Sequence, residues 1–190
     1  MRINHLKIGF EKLTKEKVRV IAHLIGDGCA YKTKSNYYIR YEVKDEDLLE
    51  QFEKDLVATY GLPITRGLNE SGKKPGSFIP FVYARSKLAL EDLHRYCQYS
   101  STKWIVPQQI IQANSEIKKE FLKALFDDEG SVIPKPDNCV RLYSINLKGL
   151  EQIKDLLEEF GIVNRIAPGY GAKRTVFAIV IKDMKSFYGK

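Results

Sequence analysis

Two stretches of the chain have the hydrophobic spacing of a helix and end in the same way. In residues 15–26 and 115–127, apolar side chains recur every three or four positions, which places them on one face of a helix. The first stretch runs into Gly-Asp-Gly at residues 26–28, and the second into Asp-Glu-Gly at residues 128–130. Both therefore predict a helix that closes on an acid followed by glycine.

Other segments of the sequence repeat at a similar distance. The segment LEQFEKDLVATYGL, which starts at Leu49, aligns with LEQIKDLLEEFGI, which starts at Leu150. In the same way, FVYARSKL from Phe81 aligns with AIVIKDMK from Ala178. All these pairs lie about a hundred residues apart, and self-similarity at one period indicates a tandem duplication.

Each half of the duplication predicts the order helix, strand pair, helix, strand pair, helix. Segments rich in Tyr and Ile indicate strands, and acidic or Ser-capped starts indicate helices. The predicted helices are 15–26, 45–60, 87–96, 115–127, 147–160 and 183–188, and the predicted strands of the first half are 29–34, 37–44, 62–69 and 77–84. We therefore expect an α+β fold with an N-terminal half at 1–96, a linker at 97–114 and a C-terminal half at 115–190.

Net charge favours a polyanionic partner. The 190 residues include 31 Lys and Arg against 24 Asp and Glu, a net charge of +7, which excludes an acidic disordered tail protein and is typical of proteins that bind nucleic acid. The predicted strands are basic, and the helix that follows the first strand pair is acidic. We expect a basic sheet against a polyanion with helices behind it; ordinary solvation of two faces is the alternative.

Cysteine usage and hydropathy indicate the compartment. Cys29, Cys97 and Cys139 are too few and too scattered for a disulfide framework or a metal knuckle, so we expect free thiols. No apolar run has the length of a signal peptide or a membrane span. The sequence thus predicts a cytoplasmic protein with no membrane partner.

The two helix ends share a chemistry when they are written as nonapeptides, VIAHLIGDG and LKALFDDEG. A small residue in the third position of each lets two helices approach closely. The acid in the eighth position, Asp27 or Glu129, lies at a helix C-terminus, where free carbonyls disfavour a carboxylate unless it holds a hard cation. If the two helices pack side by side, the acids meet, and their repulsion also favours divalent metal between them.

Two such nonapeptides, at the ends of a duplication in a basic chain, resemble the paired motifs of the LAGLIDADG homing endonucleases of the single-chain type found in archaeal introns and inteins. The resemblance covers nearly the whole chain, including the αββαββα order of each half. It implies a pseudo-two-fold fold with the motif helices at the interface and two antiparallel sheets that form a saddle on the major groove of DNA. It also implies double-strand cleavage that leaves 3′ overhangs.

The resemblance assigns roles to residues of the two motifs. The eighth-position acids, Asp27 and Glu129, are implied to be catalytic and to bind Mg²⁺, with Mn²⁺ as a substitute. The carbonyls of the preceding residues, Gly26 and Asp128, are implied to be further metal ligands. Asp128 stands where the family has a small residue, which leaves open how closely the helices approach. Of the two adjacent acids, the register of the final glycine favours Glu129.

A basic residue near the end of the second strand is also implied to lie close to the active site. Lys44 matches that position, and Asn146 takes the equivalent place in the second half. We interpret Lys44 as a residue that stabilises charge or orders water, because a lysine beside two carboxylates stays protonated. A plain phosphate contact is the alternative. The inequality of the two positions predicts unequal cleavage of the two strands.

Basic and aromatic residues of the strands and hairpins are the expected DNA contacts. Alternate side chains of a strand share a face, so an exposed face of this composition suits a DNA groove. The candidates are Tyr31, Lys32, Thr33, Lys34, Arg40, Arg66, Lys73, Lys74, Lys135, Arg141, Arg165, Lys173 and Arg174.

The predicted function is therefore that of a metal-dependent, site-specific double-strand DNA endonuclease that acts as a monomer on a long asymmetric target. An RNA maturase on the same scaffold, with intron RNA as its partner, is one alternative. A DNA-binding regulator that has lost cleavage is another, although both eighth-position acids are present.

Overall fold

In a computed structural model of the chain, residues 10, 12–72 and 76–189 are described. The first half consists of α1 (Lys15–Ile25), β1 (Gly28–Lys32), β2 (Tyr37–Glu42), α2 (Glu46–Tyr60), β3 (Thr65–Glu70), β4 (Phe78–Arg85) and α3 (Lys87–His94). The linker contains α4 (Gln108–Ile111), and the second half consists of α5 (Ser115–Glu129), β5 (Gly130–Ile133), β6 (Cys139–Ser144), α6 (Leu147–Glu159), β7 (Arg165–Tyr170), β8 (Val176–Ile181) and α7 (Met184–Tyr188). The predicted α+β order of each half is confirmed, whereas the short helix α4 was not predicted.

Polar side chains at the N-termini explain where most helices begin. Asp45 accepts hydrogen bonds from the N–H groups of Asp47 and Leu48 at the start of α2, and Ser86 accepts one from Ala89 at the start of α3. Such caps satisfy N–H groups that have no partner within the helix. At the other end of α2, Gly61 takes the left-handed conformation (φ 63°) that closes the helix.

Each half contains one four-stranded antiparallel sheet, and the two sheets have the same strand order, β1-β2-β4-β3 and β5-β6-β8-β7. The strand register repeats as well, because Gly28 pairs with Tyr41 in the first sheet and Gly130 pairs with Leu142 in the second. Residues 40, 41 and 42 are therefore the equivalents of residues 141, 142 and 143. The duplication inferred from the sequence is present in the fold.

Helices cover one face of each sheet and leave the other free. On the covered face of the first sheet, Ile39, Tyr41 and Val82 are completely buried together with Phe52 and Leu56 of α2. We call the opposite side of each sheet its open face. The open face of the first sheet includes Cys29, Tyr31, Tyr38, Arg40, Glu42, Phe81, Tyr83 and Arg85, and that of the second includes Arg141, Tyr143, Arg165, Ala178 and Val180.

Helices α1 and α5, which carry the two motifs, pack along each other at the junction of the halves. Arg19 of α1 binds the Asp55 carboxylate of α2 through two N–H groups, at 2.7 and 2.6 Å, and donates a third bond of 2.5 Å to Glu120 of α5. Lys15 forms a further ion pair, of 2.5 Å, with Glu116 of α5. The predicted position of the motif helices at the interface is confirmed.

The linker is fastened to the second half by Trp104. Its ring is buried and lies against Gly149 of α6, and its carbonyl accepts a 2.5 Å hydrogen bond from the amide of Asn146. The Asn146 carbonyl accepts a 3.2 Å bond from the Gly149 N–H and so caps α6. Asn146, proposed as the counterpart of Lys44, thus has a structural role in starting α6 and holding the linker.

Two further sequence expectations concern cysteines and membranes. Cys29, Cys97 and Cys139 all belong to the described residues and are free thiols, as predicted. Within the described ranges, no helix has both the length and the apolar character that a membrane crossing requires.

The contact between Trp104 and Gly149 leads to a stability prediction. A Cβ at position 149 would lie 2.3–2.7 Å from three atoms of the buried ring, so we expect Gly149→Ala to cost about 1–3 kcal/mol of unfolding free energy through overpacking. This outweighs the roughly 1 kcal/mol that alanine gains in a helix. Thermal denaturation should show a lower Tm, whereas Gly72→Ala, where a Cβ meets open space, should leave Tm nearly unchanged. Equal Tm values for the two variants would contradict this packing.

Candidate active site at the helix interface

The two eighth-position acids lie at the ends of the two packed helices. Helix α1 is capped at Gly26, and Asp27 connects it to β1. Helix α5 runs two residues further than predicted and has Glu129 as its last residue, directly before β5. Because α1 and α5 pack along each other, Asp27 and Glu129 emerge at the same end of the interface.

These carboxylates influence one another electrostatically. Burial raises the pKa of Glu129 most, the negative charges of Asp27 and Asp128 add to it, and together they bring it to about 7. The pKa of Asp27 is also raised, first because the surrounding protein removes part of its hydration and then because of the Asp128 charge. The site thus holds more negative charge than it stabilises by itself, which is the condition under which a cation binds.

Asp128 lies beside these acids but has a different environment. Its side chain is fully buried, and both carboxylate oxygens lie 3.0 Å from Nδ1 of His23 in α1. The hydroxyl of Tyr41 in β2 donates a hydrogen bond to the same carboxylate. Nδ1 of His23 donates to this carboxylate in the tautomer that carries the ring hydrogen on Nδ1. We call Asp128, His23, Tyr41 and Gly26 the interface lock.

Gly26 is the reason that the acid fits between the helices. A Cβ at position 26 would lie only 2.5 Å from a carboxylate oxygen of Asp128. The missing side chain on α1 therefore makes room for the added one on α5. The sequence left open how closely the two motif helices approach. They do pack closely at this point, with a small residue on α1 only.

The burial of Asp128 separates the roles of the two adjacent acids. Its carboxylate points into the first half, which leaves Glu129 as the acid of α5 that faces Asp27. The residue as a whole keeps intermediate exposure although its side chain has none. The exposed part is therefore main chain, and the role of its carbonyl as a metal ligand stays a prediction.

Each eighth-position acid opens onto a cavity. The cavity at Asp27 has a volume of about 260 Å³ and is lined also by Arg40 and Glu42 of the first open face. The cavity at Glu129 has a volume of about 400 Å³ and is lined also by Tyr143 and by Ser100 of the linker. Tyr143 is the equivalent of Glu42, so the two cavities are related by the duplication but differ in chemistry.

Lys44 does not line the cavity at Asp27. Strand β2 ends at Glu42, two residues earlier than predicted, and Lys44 is an exposed residue just before the N-cap Asp45 of α2. The basic side chain of β2 that shares the cavity with Asp27 is Arg40. The sequence predicted Arg40 as a DNA contact but not as the basic neighbour of Asp27, because that neighbour depends on where β2 ends.

The structure divides the predicted DNA contacts by the face on which they lie. Tyr31, Arg40, Arg141 and Arg165 are on the open faces. Thr33, Lys34, Lys135, Lys173 and Arg174 lie in turns and loops between strands. Lys73 and Lys74 lie outside the described residues.

For Lys32 and Arg66 the predicted orientation is wrong. Arg66 donates bonds of 2.7 and 2.6 Å to Glu53 and Glu46 of α2, which lies on the covered side. The ammonium group of Lys32 lies 5.4 Å from the centre of the Tyr37 ring, and the two residues line a groove with α3. Both basic residues alternate with open-face neighbours, so the period of the strand turns them toward the helices.

Aromatic rings form a continuous row across the first open face that the sequence did not resolve. Tyr31 and Tyr38 stack at 5.2 Å between ring centres, and Tyr38 contacts Tyr83 at 5.6 Å. The Arg85 guanidinium lies 5.1 and 5.2 Å from the centres of the Tyr38 and Tyr83 rings. The row links β1, β2 and β4. Its tyrosines alternate with buried residues along each strand, and this alternation is the sequence signal that could have revealed the row.

Comparison with known proteins agrees with this geometry. Residues 116–188 match the model of the LAGLIDADG-like domain. An uncharacterised protein of Methanocaldococcus jannaschii is 29% identical over 148 residues, which cover 75% of this chain and 53% of the relative. The DNA polymerase II large subunit of Thermococcus kodakarensis is 27% identical over 149 residues, 78% of this chain but 8% of that protein. The chain thus spans about half, or far less, of the length of these curated relatives.

Solved structures share the fold along nearly the whole chain. The homing endonuclease I-DmoI, in complex with DNA and Mn, has a TM-score of 0.66 at 17% identity, with 92% of this chain and 93% of that chain covered. The homing endonuclease I-WcaI, bound to its DNA recognition sequence, has a TM-score of 0.70 at 16% identity, with 98% and 84% covered. Full-length WhiA from Thermotoga maritima has a TM-score of 0.62 at 14% identity, with 97% and 57% covered.

The fold is that of the LAGLIDADG homing endonucleases, with two motif helices at the junction of two sheets. Together with the match of residues 116–188 to the LAGLIDADG-like domain, this confirms the resemblance seen in the sequence.

The interface lock predicts that His23 and Asp128 are energetically coupled. His23→Leu, which introduces the residue found at the equivalent position 125, should cost about 1–3 kcal/mol because Asp128 stays buried with fewer partners. Combined with Asp128→Ala, it should cost less than the sum of the single changes, by about 0.5–3 kcal/mol. Urea denaturation of the wild type, both single variants and the double variant measures this coupling; additive costs would contradict it.

Crowding of the three carboxylates predicts that Glu129→Gln stabilises the metal-free protein. Because the folded state disfavours the ionised form, the wild type loses stability as the pH rises from the ordinary pKa of 4.5 to about 7, and above that pH it lacks stability that the neutral variant keeps. Thermal denaturation at pH 8 with a chelator should show a higher Tm for Glu129→Gln. Glu151→Gln, at an exposed position of α6, is the matched control, and a variant Tm at or below the wild-type value would refute the repulsion.

Proposed function

We propose that the protein is a divalent-metal-dependent, site-specific double-strand DNA endonuclease that acts as a single chain and leaves 3′ overhangs. The observation that carries the proposal is the pair of acids, Asp27 and Glu129, at the shared end of two packed motif helices. Both acids have raised pKa values, and each opens onto a cavity beside an open sheet face. Each half of the duplication contributes one acid, and we assign one acid to each DNA strand.

The donor set at this site fits a hard cation that also binds substrate. Among the described residues, no three His, Cys, Asp or Glu side chains converge as a complete set of metal ligands. Asp27 and Glu129 would hold the metal with the carbonyls of Gly26 and Asp128, and DNA phosphate oxygens and water would complete the coordination. Mg²⁺ commonly binds through one or two carboxylates together with substrate phosphates.

The residues around the acids have separate tasks in hydrolysis. A divalent ion, when bound, supplies an activated water and stabilises the leaving oxygen. Arg40, at the Asp27 cavity, is placed to hold a base pair next to the site of cleavage. In the second cavity, Tyr143 and Ser100 offer neutral hydroxyl groups instead, which supports unequal rates for the two strands.

DNA is the partner that the charge and the neighbours favour. The chain carries a net charge of +7, and open-face arginines and tyrosines suit phosphate and groove contacts. I-DmoI has been solved with DNA and Mn, Ca or Mg. This chain matches only a small part of a DNA polymerase subunit, as an element inserted into a host gene would. This supports the intron or intein type of endonuclease that the sequence resembles.

A regulator that binds DNA without cutting it is the second candidate. The fold alone does not distinguish a nuclease from a regulator, because full-length WhiA, which is not named as an endonuclease, shares it. The presence of both acids in this chain favours the nuclease. Proposals of intron RNA as a partner and of a cytoplasmic location rest on the sequence alone.

Cleavage assays test the proposal directly. Purified protein with Mg²⁺ should linearise members of a plasmid pool with randomised inserts, and a chelator should abolish this. Asp27→Asn and Glu129→Gln should cut the recovered target more than about 100-fold more slowly, because each removes a metal ligand. Both should still bind the target in a gel-shift assay, since neither change alters the open faces.

Glu151→Gln is the control and should cut at the wild-type rate. Undiminished cleavage by both acid variants would rule out the proposed site. Sequence-specific binding by the wild type without cleavage in Mg²⁺ or Mn²⁺ would support the regulator instead.

A further inference from the structure

Beside Asp27, the first open face carries a polar cluster that the proposed cleavage chemistry does not require. One carboxylate oxygen of Glu42 accepts a 2.7 Å hydrogen bond from Arg40 and a 2.8 Å bond from the Asn69 amide. The Arg40 guanidinium lies over the Phe81 ring, with its central carbon 3.7 Å from the ring centre. Arg40 is therefore held by an acid at one edge and by a ring on one side.

The strand register builds this cluster. Glu42 of β2 pairs with Phe81 of β4, and Phe81 pairs with Gly67 of β3. A Cβ at position 67 would lie 2.4 Å from the tip of the Phe81 ring, so the glycine lets the ring lie across β3. The Asn69 amide reaches Glu42 over the Phe81 ring.

The cluster is poorly suited to gripping phosphates, because Glu42 brings negative charge to the surface that faces a polyanion. It is well suited to base edges. An arginine whose guanidinium is fixed in orientation donates two bonds to guanine O6 and N7, and a carboxylate accepts from cytosine N4. Beyond Glu42, the Arg40 guanidinium has no hydrogen-bond acceptor among the described residues, so donors remain for a base.

The second open face has an arginine at the equivalent position. Arg141 donates a 2.6 Å bond to Asp137 and lies 5.3 Å from the centre of the Tyr170 ring. Its Nε is buried and has no hydrogen-bond partner within the described part of the chain. Tyr170 belongs to β7, whereas Phe81 belongs to β4, which is not its equivalent strand. In both sheets, however, an acid and an aromatic ring fix the guanidinium. Glu42, however, is replaced by Tyr143.

We propose that Arg40 and Arg141 are specificity-determining residues that each read a guanine, at two positions related by the pseudo-dyad of the DNA target. Glu42 and Asn69 orient Arg40 and discriminate at the adjacent position in the first half-site only. The target is thus symmetric at the two guanines and asymmetric beside them. The inference rests on the proposed function, because it assumes that the open faces bind duplex DNA.

Selection of bound duplexes from a randomised library tests this assignment. The selection is run in Ca²⁺, the ion of one I-DmoI–DNA complex, with the wild type, Arg40→Gln, Arg141→Gln and Arg66→Gln. The wild-type consensus should contain two dyad-related guanines. Arg40→Gln should lower the preference at one of them about 10- to 100-fold, and Arg141→Gln at the other. Arg66, paired with two acids on the covered side, is the matched control.

Arg40→Lys keeps the charge without the forked donor geometry, so it should retain overall binding and lose the guanine preference. If Arg40→Gln and Arg40→Lys select the same two guanines as the wild type and only their affinity falls, equally for all sequences, the inference is overturned and the proposed function stands. The absence of any consensus with the wild type would overturn both.

Discussion

The arrangement of the whole molecule depends on one buried carboxylate, that of Asp128, at the contact between α1 and α5. A carboxylate removed from water must be hydrogen-bonded in place or it destabilises the fold strongly. His23 and Tyr41 of the first half provide those bonds, and Gly26 provides the space. Any shift of one half against the other would leave this group without partners. The position of Glu129 beside Asp27 follows directly, because Glu129 is the next residue along α5.

The duplication has diverged around the two acids, on the open faces and at the junction of the halves. The strand order and register are the same in both sheets. Around the acids, however, Glu42 is exchanged for Tyr143. On the open faces, the row Tyr31–Tyr38–Tyr83 of the first sheet contrasts with the pair Tyr143–Tyr170 of the second, which packs over the buried Ala178 and Val180. The framework is thus symmetric, whereas the open faces and the surroundings of the two acids are not.

Much of the fold could be predicted from local signals, and much of the site could not. Repeated segments and the Asp-Gly and Glu-Gly helix ends specified both halves and the motif acids, because helix spacing and capping are local properties. The faces of Lys32 and Arg66 were wrong because they depend on strand register, which a sequence does not fix. The role assigned to Lys44 depended on two extra residues in β2. The partners of Asp128 lie about a hundred positions earlier in the chain, so only the folded interface reveals them.

The unequal pair at the interface also bears on how such a protein could evolve. Two copies of the first half would meet glycine to glycine at position 26, leaving His23 and Tyr41 without an acceptor. Two copies of the second half would bring two Asp128 carboxylates together, with Leu125 and Leu142 in the places of the histidine and tyrosine. Neither half would therefore complete this contact with a second copy of itself. The duplicated halves have become complementary, since each supplies at this contact what the other lacks.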